Sequence, residues 1–262
     1  MVQAVQRAVQ VLKALAAAPQ RLGVSDLADR LGVAKPTAHA LLRTLEAEGL
    51  VSQDAESSKY QLGPGVVSLG NAYLDSHQLR SRSITWADLL ANRTDSAVWV
   101  GVLVNDHVLV VHHRLRPGET LHHLETGASL PWNTCALGKA AVAFLPPADR
   151  ELLLEGNLAK LTGAGVDDPA ELDRQMREVR AVGHAADAQE AMLGEASIAA
   201  PVFDNTGAVA GAIGVVGAVE RILAAEGRDG RIIAVREIAR SLSRDLGAPR
   251  NAGMGAEAQP GR

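Results

Sequence analysis

Residues 23–50 read GVSDLADRLGVAKPTAHALLRTLEAEGL. Two short helical patterns flank a tight turn. Ser25 is placed to cap the first, with Asp26 in its first turn, where the helix dipole favours negative charge. Leu27, Ala28 and Leu31 supply the apolar side, and Gly32 is placed to end the helix. Val33-Ala34-Lys35 makes the turn. Pro36 suits the first turn of the second helix, which Gly49 closes. On that helix Ala38, Leu41, Leu42 and Leu45 fall at i, i+3, i+4 and i+7, so one face is buried. Pro36, His39, Ala40 and Arg43 repeat the spacing on the opposite face. No acidic residue occurs between Lys35 and Leu45, a bias that suits a helix lying against phosphates. This is the pattern of a helix-turn-helix. Arg43 has the donors for a guanine edge, and the small Ala40 permits close approach or contact with a thymine methyl.

Upstream, Val5, Ala8, Val9, Leu12, Leu15 and Ala16 recur at helical spacing, so a first helix presents an apolar face until Pro19. Downstream, Leu50-Val51 and Tyr60-Gln61-Leu62 read as two short strands joined by the polar residues 52–59, a hairpin wing carrying Lys59 and Tyr60. Gly63-Pro64-Gly65 marks a boundary. A helix of roughly twenty residues follows, with Val66, Leu69, Tyr73 and Leu74 on its apolar side, and reads as a connector or a surface for a partner helix. Beyond it the pattern becomes mixed. Helices are expected over residues 84–92, 137–145 (ended by Pro146-Pro147), 169–182 and 230–246. Strands are expected over 97–104 and 108–113 around Asn105-Asp106, over 121–125, and over 197–203 and 209–216 around residues 204–207. That mixture predicts an α+β domain around an antiparallel sheet. The expected organisation is a helix-turn-helix domain with a wing (1–63), a linker and dimerisation helix (64–80), an α+β domain (81–246) and a disordered tail rich in Gly, Ala and Pro (247–262).

The whole chain has 262 residues, 47% apolar and 21% charged, with a net charge of −4, which excludes a disordered or collagen-like chain. Residues 1–63 hold seven Lys or Arg against six Asp or Glu, so basic character is local to one face. The longest uncharged apolar run, 208–219, has 12 residues, against about 20 for a membrane-spanning helix. The N-terminus lacks the apolar core of a signal peptide, and a cytoplasmic location is expected. With one cysteine, Cys135, neither an intrachain disulfide nor a cysteine-based zinc site can form.

Histidines occur as two doublets, His112-His113 and His122-His123. Strand neighbours point to opposite faces, so one member of each, taken as His113 and His123, is expected to face a common pocket beside Arg114 or Arg116. Such a pocket suits a phosphorylated polyol, since arginine and protonated histidine donate to phosphate oxygens. The plainer reading is hydrogen-bonded or exposed histidines on a sheet. Their spacing matches no standard zinc motif, and neither metal nor cofactor is expected. Cys135 next to a helix start admits a nucleophile reading, against that of a small buried thiol in a ligand loop. Gly211, Gly214 and Gly217 are spaced by three, which is not a dinucleotide fingerprint, and are expected to allow close packing along a strand. A third reading makes the winged helix a binder of another protein.

The segments VQRAVQVLKAL, LGVSDLADRLGVAKPTAHALLRTLEAEGLV and SSKYQLGPGVVSLG resemble the winged helix-turn-helix of the IclR family of bacterial transcriptional regulators. PWNTCALGKAAVAFLP (131–146) resembles that family's effector loop, and residues 182–222 resemble its C-terminal signature. The features AKPTAHALLRTL, NAYLDSHQLR, VLVVHHRLRPGET and GAVERI resemble regulators of glycerol operons within it. The resemblance implies a winged helix, a linker helix and a GAF-like effector-binding domain. It implies a homodimer or a dimer of dimers on operator DNA with palindromic or repeated half-sites, and a small-molecule effector in the C-terminal domain. A repressor without catalytic residues is expected. Lys35, Thr37, His39, Ala40 and Arg43 would dock in or beside the major groove, with Lys59 and Arg7 on backbone or minor groove. The effector contacts carried over are Thr134, Cys135, Ala136, Leu137, Gly138, Asp187, Leu193 and Ser197. Ser197 stands where the family often has Cys, and Ala188, Gly214 and Val216 depart from its usual acidic and small polar residues, which implies a ligand other than the usual small oxo-acid. The expected ligand is a phosphorylated polyol such as glycerol 3-phosphate, the alternative an organic acid of another catabolic operon.

Overall fold

A computed structural model describes residues 2–116 and 125–253. The chain forms two compact units, 1–76 and 77–262. The strand expected over 121–125 falls almost entirely outside the described residues, as do His122 and His123.

In the first unit α1 (Gln3–Ala17), α2 (Val24–Leu31) and α3 (Lys35–Ala47) enclose a core of Val11, Leu15, Leu22, Leu27, Leu42, Leu45, Val51 and Tyr60. Three details differ from the sequence reading. Ser25 does not cap α2. The helix starts two residues earlier, Gly23 is its N-cap, and the Asp26 carboxylate accepts from the Gly23 N–H at 2.9 Å. The carboxylate reaches back to the N-cap backbone, as the third residue of a capping box does, while no side chain serves the donors that the serine was expected to cap. On α1 the buried line runs through Val11 and Leu15, while Val5 and Val9 are exposed. Gln53 and Ser52, read as part of the hairpin loop, extend β1 (Val51–Gln53), which pairs antiparallel with β2 (Tyr60–Leu62). Leu22 and Tyr60 exchange both backbone hydrogen bonds, so the segment before α2 adds a third rung to the wing. Arg21 locks it further, donating to Gln61 Oε1 and to Asp54 Oδ2. Gly32 ends α2 with φ 63°, a left-handed backbone that glycine adopts without a Cβ penalty.

After the wing comes α4 (Gly65–Ser76), no residue of which is buried. The continuous helix expected to Arg80 is broken: His77 is extended, and α5 (Gln78–Thr94) begins beyond it, absorbing the helix expected at 84–92.

The second unit is built on β3 (Ala97–Val104), β4 (His107–Arg114), β5 (Ser129–Pro131), β6 (Ala185–Ala188), β7 (Glu195–Phe203) and β8 (Val209–Ala218), ordered β5-β4-β3-β8-β7-β6 with every pairing antiparallel. Short β5 and β6 carry too little alternation to be read from sequence. One face packs against α5 and α10 (Ala225–Asp245), the other against α6 (Ala136–Val142), and α6 in turn packs against α8 (Pro169–Val182). The Pro146-Pro147 pair does not end α6, which stops at Val142. Pro147 instead opens α7 (Pro147–Leu154), as its fixed φ and missing N–H suit a first turn. The glycines of β8 do permit close packing: a Cβ on Gly214 would stand 2.5 Å from the Ile198 carbonyl, and one on Gly211 would stand 2.3 Å from that of Gly101. The tail expected to lack structure from residue 247 forms turns as far as Gly253, with Ala248 N–H donating to Ser243 O and Ala252 N–H to Pro249 O.

Candidate DNA-reading helix and effector loop

On α3 the two faces are as the spacing requires. Ala38 and Leu42 are fully buried and Leu45 nearly so, while Lys35, His39, Ala40 and Arg43 are exposed and Thr37 half-buried. Arg43 is 67% exposed and meets Glu46 at 3.4 Å. That loose pair leaves most of its fork free to reach a base edge. Lys59 stands exposed on the wing, and Arg7 is half-buried on α1.

In the second unit the expected effector loop is assembled from the bottom up by tight backbone contacts. Trp132–Thr134 forms a single 3₁₀ turn, Cys135 is extended, and α6 then runs with every residue buried. Gly138 is obligatory: a Cβ there would stand 2.1 Å from the Trp132 carbonyl oxygen. Asn133 is buried with its polar atoms used. Its Nδ2 donates to the carbonyls of Ala159 and Val166 at 2.8 Å, and its Oδ1 accepts from Ala159 N–H at 3.2 Å. Thr134 Oγ1 donates to Pro131 O.

The loop faces a row of side chains across the sheet. Asp187 pairs with Ser197, and Ser197 with Val216, so all three point to the face under α6. Asp187 Oδ2 accepts from Ala136 N–H at 3.1 Å and from Ser197 Oγ. Burial pushes the Asp187 carboxyl up to about 6 against the pull of those two hydrogen bonds. Burial likewise pushes the Cys135 thiol up to about 12. That is the setting of an inert thiol, since a nucleophilic cysteine needs a lowered pKa and access.

The structure therefore brings Thr134, Cys135, Ala136, Leu137 and Gly138 together with Asp187 and Ser197. It does not bring His113 with them. His113 shares their sheet face, opposite Trp99, but β4 lies three strand intervals from β7, about 14 Å at the usual spacing. Its Nδ1 accepts from Thr126 N–H at 3.0 Å. His112 points to the other face, as the alternation of a strand requires. Leu193 is 71% exposed on the β6–β7 connection. Sequence reasoning missed a pair in this region: Lys139 Nζ meets both oxygens of Glu190 at 2.7 Å, with the side chains only 2% and 9% exposed. The one signal was that both fell inside segments already singled out for other reasons.

Residues 4–55 match the IclR helix-turn-helix domain, and residues 71–244 match the family described as bacterial transcriptional regulator IclR C-terminal. The chain is 45% identical over 251 residues to the glycerol operon regulatory protein of Streptomyces griseus, covering 95% of this chain and 98% of that one. The glycerol operon regulatory protein of Streptomyces coelicolor matches with the same identity and coverage. Among solved structures, an IclR transcriptional regulator from Alicyclobacillus acidocaldarius superposes with a TM-score of 0.80 at 27% identity, over 93% of this chain and 98% of that one. With a reading helix free of acidic residues from Lys35 to Leu45 on a winged unit, an α+β unit enclosing a buried loop, and matches along nearly its whole length, the chain belongs to the IclR family of bacterial transcriptional regulators.

Proposed function

We propose that this regulator represses a glycerol-utilisation operon and releases it when a phosphorylated polyol, glycerol 3-phosphate, binds the C-terminal unit. The observation that carries the reading is the 45% identity to glycerol operon regulatory proteins along 95% of the chain. Lys35, Thr37, His39, Ala40 and Arg43 meet the major groove, and Lys59 and Arg7 the backbone or minor groove. The polyol sits between residues 134–138 and the Asp187–Ser197 pair, where hydroxyls find a carboxylate acceptor and a serine. Leu193 closes over it. Cys135 serves there as a small apolar contact and not as a nucleophile. The exposed Leu69 and Tyr73 of α4, four residues apart and so on one face of the helix, pair two copies. The dimer, or a dimer of dimers, binds half-sites related by its own symmetry. No helix among the described residues is long and apolar enough to cross a membrane, which accords with work on DNA in the bacterial cytoplasm. The effector acts by binding one arrangement of the reading heads more tightly than the other, because equal affinity for both would shift nothing.

Fluorescence anisotropy on the DNA upstream of this protein's own gene, at fixed salt, tests the reading. Specific binding that weakens as glycerol 3-phosphate is added is the expected result. Specific binding indifferent to that ligand would remove the glycerol reading and favour an organic-acid effector of another operon. Binding no tighter than to random DNA would remove this operator.

A further inference from the structure

Beside β6, the edge strand of the six-stranded sheet, lies a cleft of about 280 Å³ between β6 and α8. None of residues 134–138, Asp187 or Ser197 lines it. Its charged lining is not balanced. Lys139 and Glu190 form the buried pair already described, and Arg174 is held by Glu171 and Glu178. Arg228 remains as a cation without an ion pair among the described residues, exposed at the first regular turn of α10 after the kink at Gly227. Next to it His184 has a buried Nδ1 with no hydrogen-bond partner among the described residues. Burial holds the His184 imidazole below its ordinary range against a hydrogen bond to the Val182 backbone; Arg236 and Arg228 push it further down, and Glu178 pulls it up. Arg236, behind the cleft, also has a buried Nε without a partner. The carbonyl end of α8, which finishes at Gly183, attracts cations to this corner. It offers no counter-charge of its own beyond a fraction of an electron, so positive potential is left over. A buried polar nitrogen without a partner costs free energy unless something supplies one. The arrangement calls for a small anion.

We propose that this cleft is a second ligand site, separate from the effector loop, that takes a small tetrahedral dianion, free phosphate or a phosphate monoester, on Arg228 and His184. Arginine's planar fork suits such an oxyanion, and a histidine N–H directed from a buried ring adds a charge-assisted hydrogen bond once the anion is in place. The volume admits little beyond the anionic head and a short substituent. Lys139 in the floor belongs to the same seven-residue helix as Ala136, so this site and the effector loop share one rigid element. The inference stands independently of the glycerol reading.

The test follows the His184 ring signal of the full-length protein by NMR, assigned with His184→Gln. Three probes are titrated: inorganic sulfate, whose charge is constant from pH 5.5 to 8, inorganic phosphate and methyl phosphate. The expected result is a saturable shift with sulfate and a rise in the apparent pKa of His184 at saturation. Arg228→Gln changes an exposed residue and should weaken sulfate at least about fivefold, whereas Glu178→Gln, which removes a rim carboxylate, should tighten it. Methyl phosphate binding more tightly than phosphate assigns the site to an ester, and the reverse order assigns it to free phosphate. A His184 signal that does not saturate, or one that saturates identically in wild type and Arg228→Gln, overturns the site.

Discussion

Arg43 stands on the outer face of α3 with two-thirds of its surface free, and its one ionic partner, Glu46, holds it loosely. Arg43→Ala should cost specific operator affinity about 1–3 kcal/mol and relax preference at one base pair. Anisotropy titrations against matched and single-mismatch duplexes check it, and an unchanged affinity would place the base contact elsewhere. Asp187 carries a different consequence. Its carboxyl is raised to about 6, so the folded protein binds that proton more tightly than the unfolded chain does. Its contribution to stability therefore falls as pH rises from the ordinary carboxylate range through about 6, then stays flat. Asn in its place keeps an acceptor for Ala136 N–H without a charge. Asp187→Asn should thus gain on wild type by on the order of 2 kcal/mol between pH 4 and 7. Denaturant melts at both ends of that range measure it, and a pH-independent difference would refute it. At this scale the sequence reading put Asp187 and Ser197 in one set of expected effector contacts without pairing them, and the structure makes them cross-strand neighbours. It put His113 in the same set, and the structure sets that residue three strands from Ser197, because alternation gives the face a side chain points to but not how many strands lie between. Lys139–Glu190 was invisible, since the two residues are 51 positions apart and neither is unusual in its own segment.

Among the elements, α6 depends most on a single small residue. Gly138→Ala would drive a methyl into the Trp132 carbonyl, and backbone on both sides leaves no side chain to rotate away. A loss of about 1–3 kcal/mol is expected, read as a lowered calorimetric melting temperature of the full chain. A variant melting with wild type would mean that the 3₁₀ turn can move. The recognition helix, α8 and the long strands were legible because each is long enough for its period to show. The failures cluster at ends and short pieces. Asp26 took the capping role from Ser25 because a carboxylate three residues in reaches back to the Gly23 N–H. Pro147 began a helix where a stop was expected, since proline is compatible with both and only the chain beyond decides. The break at His77 has no Gly or Pro to announce it, and apolar spacing alone runs straight through.

The two units also differ in what they leave uncovered. Val67, Leu69 and Tyr73 are 64%, 63% and 43% exposed on α4, although the unit has a well-formed core of its own. If Leu69 and Tyr73, which share one face, pair two copies, Leu69→Glu should raise the dimer dissociation constant at least about tenfold, about 1.4 kcal/mol, by sedimentation equilibrium. An unaltered association constant would move the interface off this helix. The second unit buries its one thiol. Cys135 is the chain's single cysteine, 2% exposed, beneath the helix that a ligand is expected to press on. A thiol reagent can reach that sulfur only when the loop and α6 swing away. Its modification rate under excess reagent is therefore a clock for one opening event, free of background from any other thiol, and the factor by which a metabolite slows that clock, one plus its free concentration over Kd, reports the metabolite's affinity for the closed form.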